Sequence, residues 1–149
     1  ELSDKEVVVV PTRFVPQGIA AVLALNYQAD LETNVKAMKR AMEDVETGEI
    51  TLATRSATVN GVEVSDGQII GLHNGELKTG GETIEEVARA LLAEMNSRDR
   101  EIITLYYGED VSEEEANALA DRLQEDWPEQ GIEVIPGGQP HYLYIISVE

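Results

Sequence analysis

Three glycine-containing dipeptides within sixteen residues constrain the fold of this chain more than any other feature. They are Asn60-Gly61, Asp66-Gly67 and Asn74-Gly75. Asn-Gly and Asp-Gly supply the positive φ angles that tight hairpin turns need. The segments between and around them are short and rich in β-favouring residues; they cover 50–59, 62–64, 69–72 and 76–78. The middle of the chain is therefore predicted to form an antiparallel β-meander.

The residues before the meander predict one strand and two helices. The run 6–10 is almost wholly apolar and rich in valine, which is typical of a strand buried on both faces of a parallel sheet. Pro16 is placed to begin a helix, and Asp30 is placed to cap a second helix. In the second helix, apolar residues recur every three or four positions, and Gly48 is predicted to end it.

Helical and strand signals alternate after the meander. Thr83 with Glu86, and Ser112 with Glu115, have the spacing of capping boxes, and an apolar face follows each pair. Strands are predicted over 101–107, 132–135 and 142–148. A strand, a helix and a second strand in succession imply a crossover and two parallel strands. The predicted fold class is mixed α/β (α+β mixed), with a partly parallel sheet, packed helices and an antiparallel meander, and residues 1–149 fit one domain.

Composition and charge exclude several classes of function. The net charge is −18, of which −3 falls in residues 1–60 and −15 in residues 61–149. Such a field repels phosphate backbones and anionic lipids, so we expect no nucleic-acid partner and no membrane insertion. The acidic residues either provide solubility or adaptation to salt, or they form a patch that binds a basic partner. The absence of cysteine excludes disulfides and thiol nucleophiles and fits a cytoplasmic location. The start at Glu1, without a methionine, predicts a fragment of something longer.

The sequence contains no complete catalytic or metal-binding motif. There is no phosphate-binding loop, no Gly-x-Ser-x-Gly and no His pair at zinc-binding spacing. His73 and His141 are interpreted as turn residues rather than metal ligands. Gly137-Gly138 is interpreted as a turn, with an anion site as the alternative. We therefore predict no catalytic residue, no metal and no cofactor for this chain.

The few charged residues near predicted strand ends are the best candidates for binding. Glu109 and Asp110 follow a buried strand, and ligands of α/β sheets gather at the carboxyl ends of strands. They are interpreted as loop carboxylates, with a metal site as the alternative. Arg13 follows the first predicted strand, and Arg55 is predicted to lie inside a strand. An arginine in a sheet needs an acidic or phosphate partner or an edge position. Each arginine is thus either part of a structural ion pair or a residue that binds an anionic partner.

Several segments, taken in order, resemble a known family. They are Val8-Val9-Val10-Pro11-Thr12, Val15-Pro16-Gln17-Gly18-Ile19-Ala20-Ala21, Thr47-Gly48-Glu49-Ile50-Thr51, Gly61-Val62-Glu63-Val64, Thr104-Leu105-Tyr106-Tyr107-Gly108-Glu109-Asp110-Val111 and Gly137-Gly138-Gln139-Pro140-His141-Tyr142. The chain is similar to the C-terminal, DegV-like region of the bacterial fatty-acid kinase ATP-binding subunit. That family is also labelled dihydroxyacetone-kinase-like or "DAK phosphatase". Two departures are Ser56 after Arg55, where the family commonly has Asp, and a family region that begins upstream of Glu1.

The resemblance implies a division of labour in a longer, homodimeric parent protein. Its kinase domain would bind ATP and magnesium, its middle domain would contribute catalysis and dimerisation, and the C-terminal region would hold a separate DegV-type fatty-acid-binding protein. This chain is then a non-catalytic docking domain. Its predicted contact residues are Thr12, Arg13, Gln17, Gly18, Arg55, Gly108, Glu109, Asp110, Gly137, Gly138, Gln139 and Tyr142. The alternatives are a domain that binds a fatty acid or small ligand itself, and a phosphatase.

Overall fold

A computed structural model describes residues 4–149, which divide into two compact units, 4–45 and 46–149. Each unit is described by itself below. Residues 1–3, and with them the start at Glu1, lie outside the described part of the chain. The interpretation of residues 1–149 as one domain stays a prediction.

Two helices make up most of the unit 4–45: α1 (Val15–Leu23) and α2 (Leu31–Glu43). Pro16 lies in the first turn of α1, where no intrahelical amide is required, as predicted. The Asp30 carboxylate accepts the Thr33 amide at 2.8 Å and so caps α2, also as predicted. Buried Asn34 accepts the Asn26 amide at 2.8 Å and donates to the Asn26 carbonyl at 2.9 Å. This pair of bonds fixes the loop between the helices.

The structure contradicts two predictions around this unit. Residues 6–10 have no regular secondary structure and form no strand with any described residue, and Val7 and Val9 are 76% and 77% exposed. A valine-rich run reports β propensity and apolarity, but a strand also needs a neighbour to pair with. Gly48 does not end α2, which finishes at Glu43, because Gly48 lies inside the next strand.

Residues 46–149, all of which the structure describes, form eight strands and two longer helices. The strands are β1 (Glu46–Leu52), β2 (Ala57–Val59), β3 (Val62–Val64), β4 (Ile69–His73), β5 (Glu76–Gly81), β6 (Ile102–Tyr107), β7 (Gly131–Pro136) and β8 (Tyr142–Val148). The helices are α3 (Ile84–Glu94) and α4 (Glu113–Asp126). Six strands form one sheet in the order β5-β4-β1-β8-β6-β7, and β2 and β3 form a separate hairpin.

Two of the three predicted hairpin turns are confirmed. Asn60 and Gly61 (φ 52° and 80°) join β2 to β3, and Asn74 and Gly75 (φ 49° and 83°) join β4 to β5. Asp66-Gly67 instead connects β3 to β4, which belong to different sheets. The meander is therefore two hairpins, and β4 pairs with β1 rather than with β3.

The mixed sheet confirms the predicted fold class. β6 and β7 pair in parallel with α4 between them in sequence, and β8 lies antiparallel to both β6 and β1. Thr83 and Ser112 cap α3 and α4 as predicted, and Ser112 forms a full capping box with Glu115. No helix in the described residues is long and apolar enough to cross a membrane.

The main core lies between one face of the sheet and the two helices. Its fully buried side chains include Ile50 from β1, Leu91 from α3, Leu123 from α4 and Ile146 from β8. Close packing of α3 accounts for the glycine at position 48 in β1. A Cβ there would lie 2.9 Å from Leu91 Cδ2 and from Met95 Sδ. Helix α3 thus approaches the sheet closely where a glycine leaves room for it.

Candidate functional site

Several predicted contact residues meet at one end of the six-stranded sheet. β1 and β6 both run antiparallel to β8, and β7 runs parallel to β6, so β1, β6 and β7 finish at the same end, where β8 starts. Residues 108–110 follow β6, and residues 137–142 connect β7 to β8. Glu109 and Asp110 thus follow a buried strand, as predicted, and the loop after β7 lies at the same end of the sheet.

Backbone hydrogen bonds join these two loops into one surface, which we call the loop platform (residues 108–110 and 137–142). The Gly108 amide donates to the Leu143 carbonyl at 2.9 Å, and the Glu109 amide donates to the Gln139 carbonyl at 3.1 Å. The Gln139 side-chain amide donates to the Tyr106 carbonyl at 3.0 Å. The platform is held by main-chain geometry, which leaves its outward side chains available for other contacts.

Glycine is required at two positions of the platform. A Cβ on Gly108 would overlap the backbone carbonyl oxygens of Tyr142 and Gln139, which cannot move without breaking the loop. Gly138 has φ +65°, the left-handed region that favours glycine. The Gly137 and Gly138 amides both donate to the Tyr107 carbonyl, at 3.0 and 3.1 Å. Their donors are used inside the protein, so the turn interpretation of this pair is confirmed.

The outward side chains of the platform are acidic and aromatic. Glu109 and Asp110 are exposed, and Tyr142 is 37% exposed. Thr51 at the end of β1 donates its hydroxyl to the His141 carbonyl at 2.6 Å, which ties the platform to the neighbouring strand. The platform therefore offers carboxylates on a rigid backbone.

Arg55 does not lie inside a strand, and that prediction is wrong. The predicted strand 50–59 is broken at 53–56, and Arg55 is exposed in this loop, at the same end of the sheet as the platform. The break follows β1 because the Ala53 amide and carbonyl bond to the turn at Gly67 and Gln68 instead of continuing a strand. Within the described part of the chain Arg55 forms no ion pair, so it is free to meet an anionic group.

The other predicted contacts lie in the unit 4–45, around the start of α1. The Arg13 amide donates to the Gln17 side-chain oxygen at 2.9 Å, and Gly18 lies near Thr12. Thr12 and Arg13 are exposed, and Gln17 and Gly18 are half-buried. Arg13 also has no ion pair among residues 4–149. The structure thus brings Thr12, Arg13, Gln17 and Gly18 together locally.

An apolar cleft of about 510 Å³, which the sequence analysis did not find, lies between α3 and α4 beside the platform. Its apolar lining includes Ile69, Ile84, Val111, Leu119, Leu143 and Tyr144. Its charged lining consists of three carboxylates and one guanidinium, from Glu85, Asp110, Glu115 and Arg122. These residues come from five separate parts of the sequence, so no local motif marks the cleft.

Electrostatics at the cleft are dominated by carboxylates. Arg122 donates to Glu85 at 2.9 Å, and Arg89 also pairs with Glu85, so this carboxylate is neutralised. Asp110 and Glu115 have no cationic partner among the described residues. Burial, and secondly the charge of Glu115, raises the pKa of Tyr144 to about 12. The phenol therefore stays neutral at the cleft wall.

His73 was interpreted as a solvent-facing turn residue, but the structure places it in a polar cluster. Its Nε2 lies 2.7 Å from Glu46 Oε2, which also accepts from the Asn74 side chain at 2.7 Å. Burial raises the pKa of Glu46, but hydrogen bonds from His73 and Asn74 outweigh it and lower the pKa. No group of three or more metal-ligating side chains occurs in the described residues.

The whole chain, residues 1–149, matches the family model for FakA-like proteins, which describes the C-terminal region of the A-type subunits of fatty acid kinase. The chain belongs to this family. It is 38% identical over 146 residues to Protein YloV of Bacillus subtilis, with 98% of this chain and 26% of YloV covered. It is 34% identical over 148 residues to protein SH1689 of Staphylococcus haemolyticus, with 99% of the chain and 27% of that protein covered. The chain thus spans about a quarter of the length of these relatives.

Two solved structures share the fold. The Fak B3 protein of Streptococcus pneumoniae, a fatty acid kinase protein loaded with linoleic acid, superposes with a TM-score of 0.54 and 16% identity, covering 82% of this chain and 50% of that one. A fatty-acid-binding DegV family protein from Thermus thermophilus gives a TM-score of 0.53 and 14% identity, covering 89% and 55%. The predicted DegV-like fold is confirmed.

Proposed function

We propose that this chain is a non-catalytic docking domain of a fatty acid kinase, which holds a DegV-type fatty-acid-binding protein while other domains of the parent phosphorylate the bound acyl chain. The observation that carries the proposal is the loop platform. Its backbone is fixed by hydrogen bonds to neighbouring strands, whereas Glu109 and Asp110 point outward. A preorganised surface of this kind loses little entropy when a partner protein binds.

The family supports the same proposal from another direction. The chain matches the C-terminal region of FakA-like fatty acid kinase proteins, and its fold is shared with a Fak B protein that carries a fatty acid. A kinase whose substrate is carried by a separate protein needs a surface that recognises the carrier. ATP, magnesium and the homodimer contact are assigned by the proposal to the parent's other domains, in the cytoplasm.

Calorimetric titration with the DegV-type fatty-acid-binding protein of the same organism, loaded and empty, tests docking directly. We expect saturable binding, and we expect Glu109→Lys to weaken it about tenfold because the substitution reverses an exposed charge on the platform. Glu129→Lys is the matched control, since Glu129 is an exposed acid after α4 and outside the platform. No binding by the folded chain would refute docking.

Arg55 in the unit 46–149 and Arg13 in the unit 4–45 are further candidate contacts for the carrier, each considered within its own unit. Both guanidinium groups are exposed and have no ion pair among the described residues. Replacing both by alanine should weaken carrier binding while circular dichroism shows an unchanged fold. Equal affinity of the double variant and the unaltered chain would remove these two residues from the docking surface.

The apolar cleft favours one alternative, that the chain binds a fatty acid itself. An acyl chain would be accommodated by the apolar lining, but its carboxylate would meet Asp110 and Glu115 at the rim. Native mass spectrometry of the freshly purified chain decides between the two, because a bound acyl chain adds its own mass. A phosphatase assay with and without divalent metal should show no turnover.

A further inference from the structure

The cleft between α3 and α4 combines an apolar floor with a carboxylate rim, and it adjoins the loop platform through Asp110. Val111, the next residue, is buried and lines the cleft, and its amide bonds to the Gly108 carbonyl at 3.1 Å. The platform and the cleft therefore share one stretch of backbone. A molecule that contacts Glu109 and Asp110 from outside has the cleft beside it.

We infer that this cleft is the anchoring pocket of the docking surface, and that it takes an apolar side chain of the partner protein flanked by lysine or arginine. The inference rests on the proposed function and adds the location and chemistry of the contact. It makes the cleft, rather than the flat platform alone, the place where the partner's apolar surface is buried.

The size and lining of the cleft fit a protein side chain. Protein interfaces derive most of their binding energy from a few apolar or aromatic anchors that fill pockets, with a polar rim around them. A volume of about 510 Å³ accommodates one large side chain and parts of its neighbours. The walls are preformed, because Leu119 and Tyr144 are 4% and 1% exposed and belong to the main core.

The charge of the rim determines the flanking chemistry. Arg122 and Arg89 both form ion pairs with Glu85, and Arg89 forms a second ion pair with Asp126, whose carboxylate lies 2.6 Å from its Nε. The two carboxylates left at the rim, Asp110 and Glu115, lack a cationic partner within the described chain and repel an anionic occupant. Opposite charge on the partner lowers the cost of approaching them and speeds association.

Two substitutions with matched controls test the pocket, with the carrier protein of the same organism as the probe. Ala118→Phe fills the cleft from an exposed position on α4, and Asn117→Phe adds the same ring at the adjacent exposed position outside the cleft. Asp110→Lys reverses the charge of the rim, and Asp121→Lys makes the same change on the exposed face of α4. All four variants are first checked for unchanged thermal unfolding and circular dichroism.

We expect Ala118→Phe and Asp110→Lys each to weaken carrier binding at least about tenfold, and both controls to leave it unchanged. The salt dependence of binding should also be smaller for Asp110→Lys than for the unaltered chain, because one attractive charge has been lost. If the unaltered chain binds the carrier and both cleft variants bind it with the same affinity, the inferred anchoring pocket is refuted, whereas the proposed docking function is not.

Two other outcomes overturn the inference in different ways. No carrier binding by the unaltered chain refutes the proposed function and the pocket together. If the chain captures oleate, and Ala118→Phe abolishes that capture without changing carrier binding, the cleft is an acyl site instead.

Discussion

Apolar side chains are treated in opposite ways in the two units of this chain. In residues 46–149 the large aliphatic residues of α3, β6 and β8 are buried, and Leu91, Leu105 and Ile146 have no exposed surface. In residues 4–45 the valines of the segment 6–10 and several apolar side chains of α1 are exposed, with Leu23 80% exposed. Soluble monomers rarely expose large contiguous apolar patches, and where such patches occur they mark contact sites.

This difference in burial indicates that the two units obtain their stability in different ways. The sheet of the second unit pairs its strands with one another and covers one face with two helices. In the first unit the segment 6–10 has no strand partner among the described residues, and the helices of this unit bury few side chains, among them Ala20, Ala21 and Asn34. The valine-rich sequence is typical of a strand buried in a sheet, and the described residues of this unit form no sheet.

The largest expected contrast is in hydrogen exchange. Amides of Val7–Val10 have no strand partner, so they should exchange within seconds, whereas Ile146 and Val148 in the central strand β8 should exchange about a thousandfold more slowly or slower still. Mass-spectrometric exchange on the full chain measures both. Strong protection of Val7–Val10 would show a pairing that contradicts the exposed segment.

A matched pair of leucine substitutions measures the same contrast as free energy of unfolding. Leu91→Ala removes a fully buried side chain from α3 and should cost about 2–5 kcal/mol. Leu23→Ala removes an 80% exposed side chain from the end of α1 and should change stability by less than about 0.5 kcal/mol. Chemical denaturation of both variants provides the values. Equal losses would mean that Leu23 is buried in solution.

A second matched pair tests the loop platform. Gly108→Ala places a Cβ against two backbone carbonyls and should cost about 1–3 kcal/mol. Gly131→Ala has its nearest neighbour at 3.8 Å, the Glu101 carbonyl, so it should be neutral or slightly stabilising. The comparison uses the same denaturation measurement. A neutral Gly108→Ala would show that the platform is less rigid than its hydrogen bonds indicate.

The smallest effect concerns pH. Because the pKa of Glu46 is lowered in the folded state, its contribution to stability is present above the unperturbed value of 4.5 and is lost as pH falls through the folded pKa. Glu46→Gln should therefore reduce the loss of stability on acidification below about pH 4.5. The exposed Glu63→Gln is the control, and unfolding midpoints at pH 6 and below pH 4 provide the test. If the Glu46→Gln variant loses as much stability at low pH as the unaltered chain, the role of the His73 contact is contradicted.

Prediction from the sequence succeeded where the determining interactions are local. The Asn-Gly turns, the caps at Asp30 and Ser112, and the parallel pair around α4 all depend on residues within a few positions or one crossover. It failed where burial depends on distant partners. Gly48 was interpreted as a helix end, because the approach of Leu91 and Met95 is not visible in its local sequence.

The candidate site divides in the same way. Glu109, Asp110 and the Gly-Gly-Gln-Pro loop were predicted at strand ends and are found there, and the Glu109 amide bonds to the Gln139 carbonyl. Arg55 was placed in a strand because the run 50–59 is rich in β-favouring residues, and the break at 53–56 depends on contacts with the turn at Gly67. The cleft could not be predicted, because its lining comes from α3, α4 and β8, which are far apart in sequence.

The position of β8 has a consequence for how the chain reaches its native state during synthesis. β8 follows every other described element in sequence, yet it lies between β1 and β6, and Glu46 pairs with Val148. The three strands β1, β4 and β5 can pair early, as can β6 and β7, but nothing in the sheet joins the two groups until residues 142–148 have left the ribosome. Pairing between strands so distant in sequence is slow. The two groups of strands are therefore expected to keep unpaired edges, which are prone to aggregation, until β8 pairs with both.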